Sequence, residues 1–180
     1  MSHPWHDVDP LTQKPENVNA VIEISRGNKA KYEIDKLSGL LRLDRVLFSS
    51  VHYPSNYGII PRSFWHDGDP LDILVICSED IAPLSIVETR IIGVMRMKDT
   101  GDPDEKILAV AAKDMSVSHV YDLAQLPRHW MDEVKNFFET YKRLEGKEVL
   151  VDEFFGKEKA LEVVRESYAL YKAEILPGLS

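Results

Sequence analysis

Three aspartates, Asp67, Asp69 and Asp72, crowd the stretch HDGDPLDILVI at positions 66 to 76, directly ahead of an apolar run. Carboxylates gathered at the mouth of a buried strand repel one another and raise one another's pKa unless a cation lies between them. Oxygen ligands of this kind suit hard divalent ions such as Mg²⁺, Mn²⁺ or Ca²⁺. An isolated DGD is equally an acidic turn with solvated side chains, so the cluster alone leaves both readings open. A second acidic group, Asp99, Asp102 and Asp104 in KDTGDPDEK, reads as a turn beside a strand and divides the same way. With Glu23 and Glu33 on strand-like stretches, the acids could line a pocket for several metals, which activate water and screen phosphoryl charge. An EF-hand is excluded: a loop starting at Asp67 has Asp72 where glycine is needed and Ser78 where the bidentate glutamate is needed.

Basic and hydroxyl side chains supply the other half of a phosphate site. Lys31 and Glu33 share one strand face, Arg45 sits among apolar residues in LDRVLF, and Lys142 adjoins Tyr141 on a helical face. Singly, the lysines read as exposed charges, and Tyr57 and Tyr141 as core aromatics with polar tips. The lone cysteine, Cys77, reads as a small core hydrophobe, and no intrachain disulfide is possible.

The elements that must position these groups follow from periodicity. AVIEISRG (20–27) and AKYEID (30–35) alternate as half-buried strands joined by a turn at Gly27 and Asn28, and SGLLRLDRVLF (38–48) reads as a further strand pair or extended segment. HYPSNYGIIP (52–61) carries two prolines and a glycine, so a loop with a short extended stretch is expected. PLDILVICS is a fully buried strand, residues 85–99 give two strand-like runs, residues 99–106 an acidic turn, and ILAVAA another strand. From Pro127 the period changes: Trp130, Met131, Val134, Phe137, Phe138, Tyr141 and Leu144 follow helical spacing, with Gly146 placed to end the helix. GKEVLVDEFF returns to strand, and a last helix is expected from about Lys157 to Tyr171. Many short strands and two amphipathic helices suggest a mainly β protein of the α+β class, a small closed barrel with helices packed on it. No linker or repeat interrupts residues 1–180, so one domain is expected.

A net charge of −8 argues against a generic nucleic-acid binder, and no stretch is long and apolar enough to span a bilayer. The first twenty residues lack a basic region followed by an apolar core, so neither a secretory signal nor a transit peptide is read there, and a cytoplasmic setting is expected.

The heptad DGDPLDI at 67–73 resembles the signature of the family I soluble inorganic pyrophosphatases of prokaryotic type. VIEI, KYEID, LDRVL, HYPSNYGIIP, GVMRMKDTGDPDEKILAV and FFETYKRLEGKEV are similar to that family's other blocks, in its order, over about residues 18–172. The resemblance implies a five-stranded OB-like closed barrel flanked by two C-terminal helices, and hydrolysis of pyrophosphate to two orthophosphates with several Mg²⁺ ions per site. It implies Asp67, Asp72 and Asp104 as ligands of the metal pair, Asp99 with Asp104 holding metals brought by the substrate, and Glu23 and Glu33 as outer metal contacts. Asp69 is implied as general base, with Lys31, Arg45, Tyr53, Tyr57, Lys106, Tyr141 and Lys142 around the phosphates. A homohexamer is implied as well. The sequence departs from the family at Ser25, where proline is common, at Leu150, where lysine is common, and at Phe154 or Phe155, where tryptophan is common. Two other readings compete: a non-catalytic OB-like module binding metal or nucleotide, and a nucleoside-polyphosphate pyrophosphohydrolase.

Overall fold

The computed structural model describes residues 2–14 and 16–179. Eight strands appear: β1 Asn17–Ile24, β2 Ala30–Ile34, β3 Leu41–Val46, β4 Asn56–Ile59, β5 Asp72–Ile76, β6 Ile86–Asp99, β7 Asp102–Ala111 and β8 Val149–Gly156. Helix α1, Arg128–Thr140, precedes β8, and α2, Lys157–Leu170, follows it. Five strands pair in the order β1–β4–β5–β7–β6 around a barrel-like wall, and a ladder between Asn17–Val21 of β1 and Ile86–Arg90 of β6 joins its ends. β8 extends the sheet from β6. β2 and β3 form a separate two-stranded sheet. The mainly β class with two helices is therefore as expected.

β5 explains why its sequence reads as continuously apolar. Alternate side chains leave a strand on opposite faces, and here both faces are covered: Leu74 packs with Phe137 and Phe138 of α1, whereas Ile73 and Val75 pack with Leu161 and Val164 of α2. Val134, Phe137 and Phe138 form the buried stripe of α1. A third cluster joins Trp5 near the N-terminus to Ile34 of β2, Ile59 of β4 and Tyr171 beyond α2.

Some local expectations hold and others are corrected. β1 and β2 are joined through the Gly27 turn as expected, with Gly27 at φ +77°, and their ladder partners are others: β1 pairs with β4 and β6, and β2 with β3. Residues 86–99 are one strand of 14 residues, not two runs, and its register shifts between Ile91 and Gly93. The short extended stretch expected within 52–61 is β4, buried throughout. Its Gly58 is required by close approach, since a Cβ there would lie 2.0 Å from the Val21 carbonyl oxygen. α1 stops at Thr140, and Gly146, at φ +72°, ends a short 3-10 turn over Arg143–Glu145 instead.

Candidate active site

The site opens where β5 and β7 begin. These strands are parallel, with Asp72 opposite Lys106, and Asp104 lies two residues before Lys106 on the same face of β7. The acidic turn expected over 99–106 is thereby corrected: only Thr100 and Gly101 turn, and Asp104 projects from a strand. Asp67 arrives from the loop before β5. There the Gly68 N–H donates to the Trp65 carbonyl at 3.0 Å, the Trp65 N–H donates to the Asp69 carbonyl at 2.8 Å, and Gly68 adopts φ +85°. The Trp65 indole N–H donates to Glu105 at 2.7 Å, tying the loop to the residue beside Asp104.

Carboxylate oxygens of Asp67, Asp72 and Asp104 consequently lie within 4.8 Å of one another. Burial, then the charges of Asp72 and Asp104, push Asp67 up to about 7. Asp104 is raised too, by burial first, against the opposing Lys106 ammonium. Glu23, at the end of β1, accepts the Ile34 N–H at 2.7 Å; burial, with the Asp72 charge, pushes it up to about 8. Asp67, Asp72 and Asp104 converge as an oxygen-only donor set that fits a hard divalent cation, which would relieve the repulsion among them.

Cations face the acids across one cavity of about 560 Å³. Lys106, 4% exposed, donates to Asp72 Oδ2 at 2.5 Å and to both Asp104 oxygens at 2.9 Å. Buried between those two carboxylates, it is held ionised well above the ordinary lysine range. Lys142, just past α1, pairs with Asp99. Asp99 is held below the usual carboxylate range because the Lys142 ammonium outweighs the effect of burial. On the β2–β3 hairpin, Lys31 reaches Asp44 at 3.0 Å and Glu33 at 3.4 Å. Tyr57 and Tyr141 line the cavity from the core side, both raised well above the ordinary tyrosine range by burial.

Most of the residues singled out in the sequence thus share this cavity, with two exceptions, Tyr53 and Arg45. Asp69 lines it as well, outside the carboxylate trio; its N–H donates to Asp67 Oδ1 at 3.1 Å and its carboxylate pairs with Lys36. Tyr53 is buried behind the lining, its ring 5.3 Å from that of Tyr57 and 4.6 Å from that of Phe137. Arg45 lies beyond the lining, paired with Asp44 and, at 3.0 Å, with Glu145. Sequence reasoning missed Lys36, which lines the cavity, pairs with Asp69 and donates to the Gly68 carbonyl at 2.8 Å. The signal available was its place at the end of KYEIDK, two residues past the strand that carries Lys31 and Glu33.

A family profile described as inorganic pyrophosphatase matches residues 20–172. The chain belongs to the inorganic pyrophosphatase family. It is 48% identical over 176 residues to soluble inorganic pyrophosphatase 2 of Chlamydomonas reinhardtii, covering 98% of this chain and 92% of that protein. It is 47% identical to the soluble inorganic pyrophosphatase of Oryza sativa subsp. indica over 99% of this chain and 83% of that one. Among solved structures, the Thermus thermophilus inorganic pyrophosphatase superposes with a TM-score of 0.88 at 40% identity, covering 92% of this chain and 97% of that one. Members of this pyrophosphatase family hydrolyse pyrophosphate to phosphate, and neither the non-catalytic nor the nucleotide-hydrolysing reading is favoured. The family uses divalent metal ions, in keeping with the donor set of Asp67, Asp72 and Asp104. Among the described residues no helix is long and apolar enough to cross a membrane.

Proposed function

We propose that this chain hydrolyses pyrophosphate in the cavity between β5, β7 and the β2–β3 hairpin, using Mg²⁺ held by Asp67, Asp72 and Asp104, with Asp99 and Asp104 holding further ions that arrive with the substrate. The convergence of three carboxylates within 4.8 Å, facing Lys106 and Lys142 across the same cavity, carries this reading. A divalent cation bound there supplies Lewis acidity: it lowers the pKa of a coordinated water and screens phosphate charge. Asp69, which lines the cavity, takes the proton from the attacking water. Lys31, Arg45, Lys106 and Lys142, with the Tyr57 and Tyr141 hydroxyls, bind the phosphate oxygens and stabilise the departing phosphate, where negative charge accumulates. Tyr53 supports Tyr57 from behind, and Glu23 and Glu33 act as outer metal contacts. Bond cleavage needs only water as the nucleophile.

The same reading treats residues 1–180 as one domain working in the cytoplasm, assembled as a homohexamer by analogy with family members of similar length. The single cysteine, half-buried and free of any disulfide, supports a reducing compartment. The test of the chemistry is phosphate release from pyrophosphate in a Mg²⁺ titration, run beside Asp69→Asn. Release should require the divalent ion, and the variant should lose roughly 10²- to 10⁴-fold in kcat. Full turnover by chelator-treated protein, or by Asp69→Asn, would refute the assignment.

A further inference from the structure

The cations of the site divide into two groups by the identity of their partners. Lys31 and Arg45, on the hairpin, are held chiefly by Asp44 and Glu145, which lie outside the proposed metal ligands. Lys106 and Lys142 are held by Asp72, Asp104 and Asp99, each of which is a proposed metal ligand. These pairs are sheltered: the side chains of Lys106, Lys142, Asp72, Asp99 and Asp104 are all between 4% and 21% exposed. Lys106, whose three N–H donors are all taken by carboxylate oxygens, cannot grip a phosphate oxygen without first giving up a strong, charge-assisted contact, and the Asp99 carboxylate offsets the Lys142 charge that would draw phosphate to it.

We propose that Asp99, and the Asp72–Asp104 pair, act as internal counter-ions that hold Lys142 and Lys106 away from phosphate until a divalent cation takes over those carboxylates. The proposal rests on Asp72, Asp99 and Asp104 being metal ligands. It assigns them a second task, to couple the two kinds of ligand through shared charge. When a divalent cation draws on these oxygens, the lysines lose their partners and turn to the incoming anion. Metal and phosphate then each favour the binding of the other, as linkage requires. The geometry also points to a result opposite to the usual effect of removing a ligand: without metal, loss of a counter-ion should strengthen anion binding.

Asp102 provides the internal control. It lines the same cavity and carries the same charge, yet among the described residues it makes no ion pair with a lysine or arginine. Orthophosphate is titrated calorimetrically into chelator-stripped full-length protein, so that no turnover is involved. Asp99→Asn should bind orthophosphate roughly five- to tenfold more tightly than the parent, because a charge-assisted contact no longer opposes it. Asp102→Asn, which changes net charge alone, should gain less than about twofold. The double variant Asp99→Asn with Lys142→Met should lose the gain.

Equal gains in Asp99→Asn and Asp102→Asn, a gain that survives Lys142→Met, or no measurable phosphate binding in any folded variant would each overturn the proposal. Thermal melts establish that the variants are folded; should Asp99→Asn fail to fold, Asp104→Asn, which weakens the hold on Lys106, is judged by the same criteria. Mg²⁺ titrations of the same variants separate the two levels of the reading. Undiminished Mg²⁺ binding in Asp99→Asn would mean that Asp99 is no metal ligand, whereas the phosphate titrations report on the lysines alone.

Discussion

Glu23 shows at the scale of one residue what the site demands of its surroundings. Its carboxyl is buried, accepts the Ile34 N–H, and titrates near 8 where an ordinary glutamate titrates near 4.5. Asp67 is displaced in the same direction, from 3.8 to about 7. Such groups are protonated in both states at low pH; as pH rises, the unfolded chain ionises first while the folded one keeps its protons, so stability falls until the folded groups ionise in turn. For the metal-free protein the loss should run from about pH 4, where unfolded Asp67 ionises, to about pH 8, where folded Glu23 does, and then level off. Urea unfolding of chelator-treated protein across that window should show it, and Glu23→Gln, which keeps an acceptor for Ile34, should flatten much of the slope. An equal slope in the variant would remove Glu23 as its source. Charge of this kind is hard to see in a sequence: VIEI announces an acid on a strand, but nothing in it says that the acid will be buried beside Asp72.

At the scale of elements, position is set by strand register and by one indole. The β5–β7 ladder places Asp72 opposite Lys106, and Trp65 anchors the Asp67 loop through its hydrogen bond to Glu105. Trp65→Phe keeps the ring and removes the donor, leaving a buried carboxylate oxygen without its 2.7 Å partner. A destabilisation of about 1–3 kcal/mol is expected in chemical denaturation. Divalent-ion affinity measured by calorimetry should fall with it, because Asp67 loses its fixed distance from Asp104. Unchanged affinity would show that the loop holds its shape without the anchor.

The apolar run of β5 and the helical stripe of α1 were legible in the sequence because period and burial agree there. The start of β7 was not legible, since DTGDPDEK has the composition of a turn and its acids lie on a strand only because they pair with β6 and follow β5. The short extended stretch expected between Pro54 and Pro61 proved to be β4, but nothing local to it shows that contact with β1 makes Gly58 a strand residue. Arg45 stood out in the sequence as a charge among apolar residues, but its place beyond the cavity lining depends on Glu145, 100 residues later in the chain. Tertiary pairing decided these cases, and no window of neighbouring residues contains it.

At the scale of the whole molecule, the resemblance to prokaryotic-type family members implies six copies together. Sedimentation of the purified protein should accordingly give a species of about six times 20.6 kDa, and a single 20.6 kDa species would refute the assembly.

Within one copy, the site is built from two bodies of different standing. Its acidic wall belongs to the continuous ladder of β5 and β7, whereas Lys31 and Glu33 sit on the two-stranded sheet that no ladder joins to the barrel. That hairpin is held by the Glu23–Ile34 hydrogen bond, by Trp5 and its apolar neighbours, and by Lys36 reaching across to Asp69 and Gly68. Its attachments are side-chain contacts, the Arg45–Glu145 pair among them, so its amides should exchange with solvent faster than those of the barrel, which hydrogen exchange would test. Local opening there would move Lys31 and Glu33 while leaving in place the carboxylates on which the metal would rest.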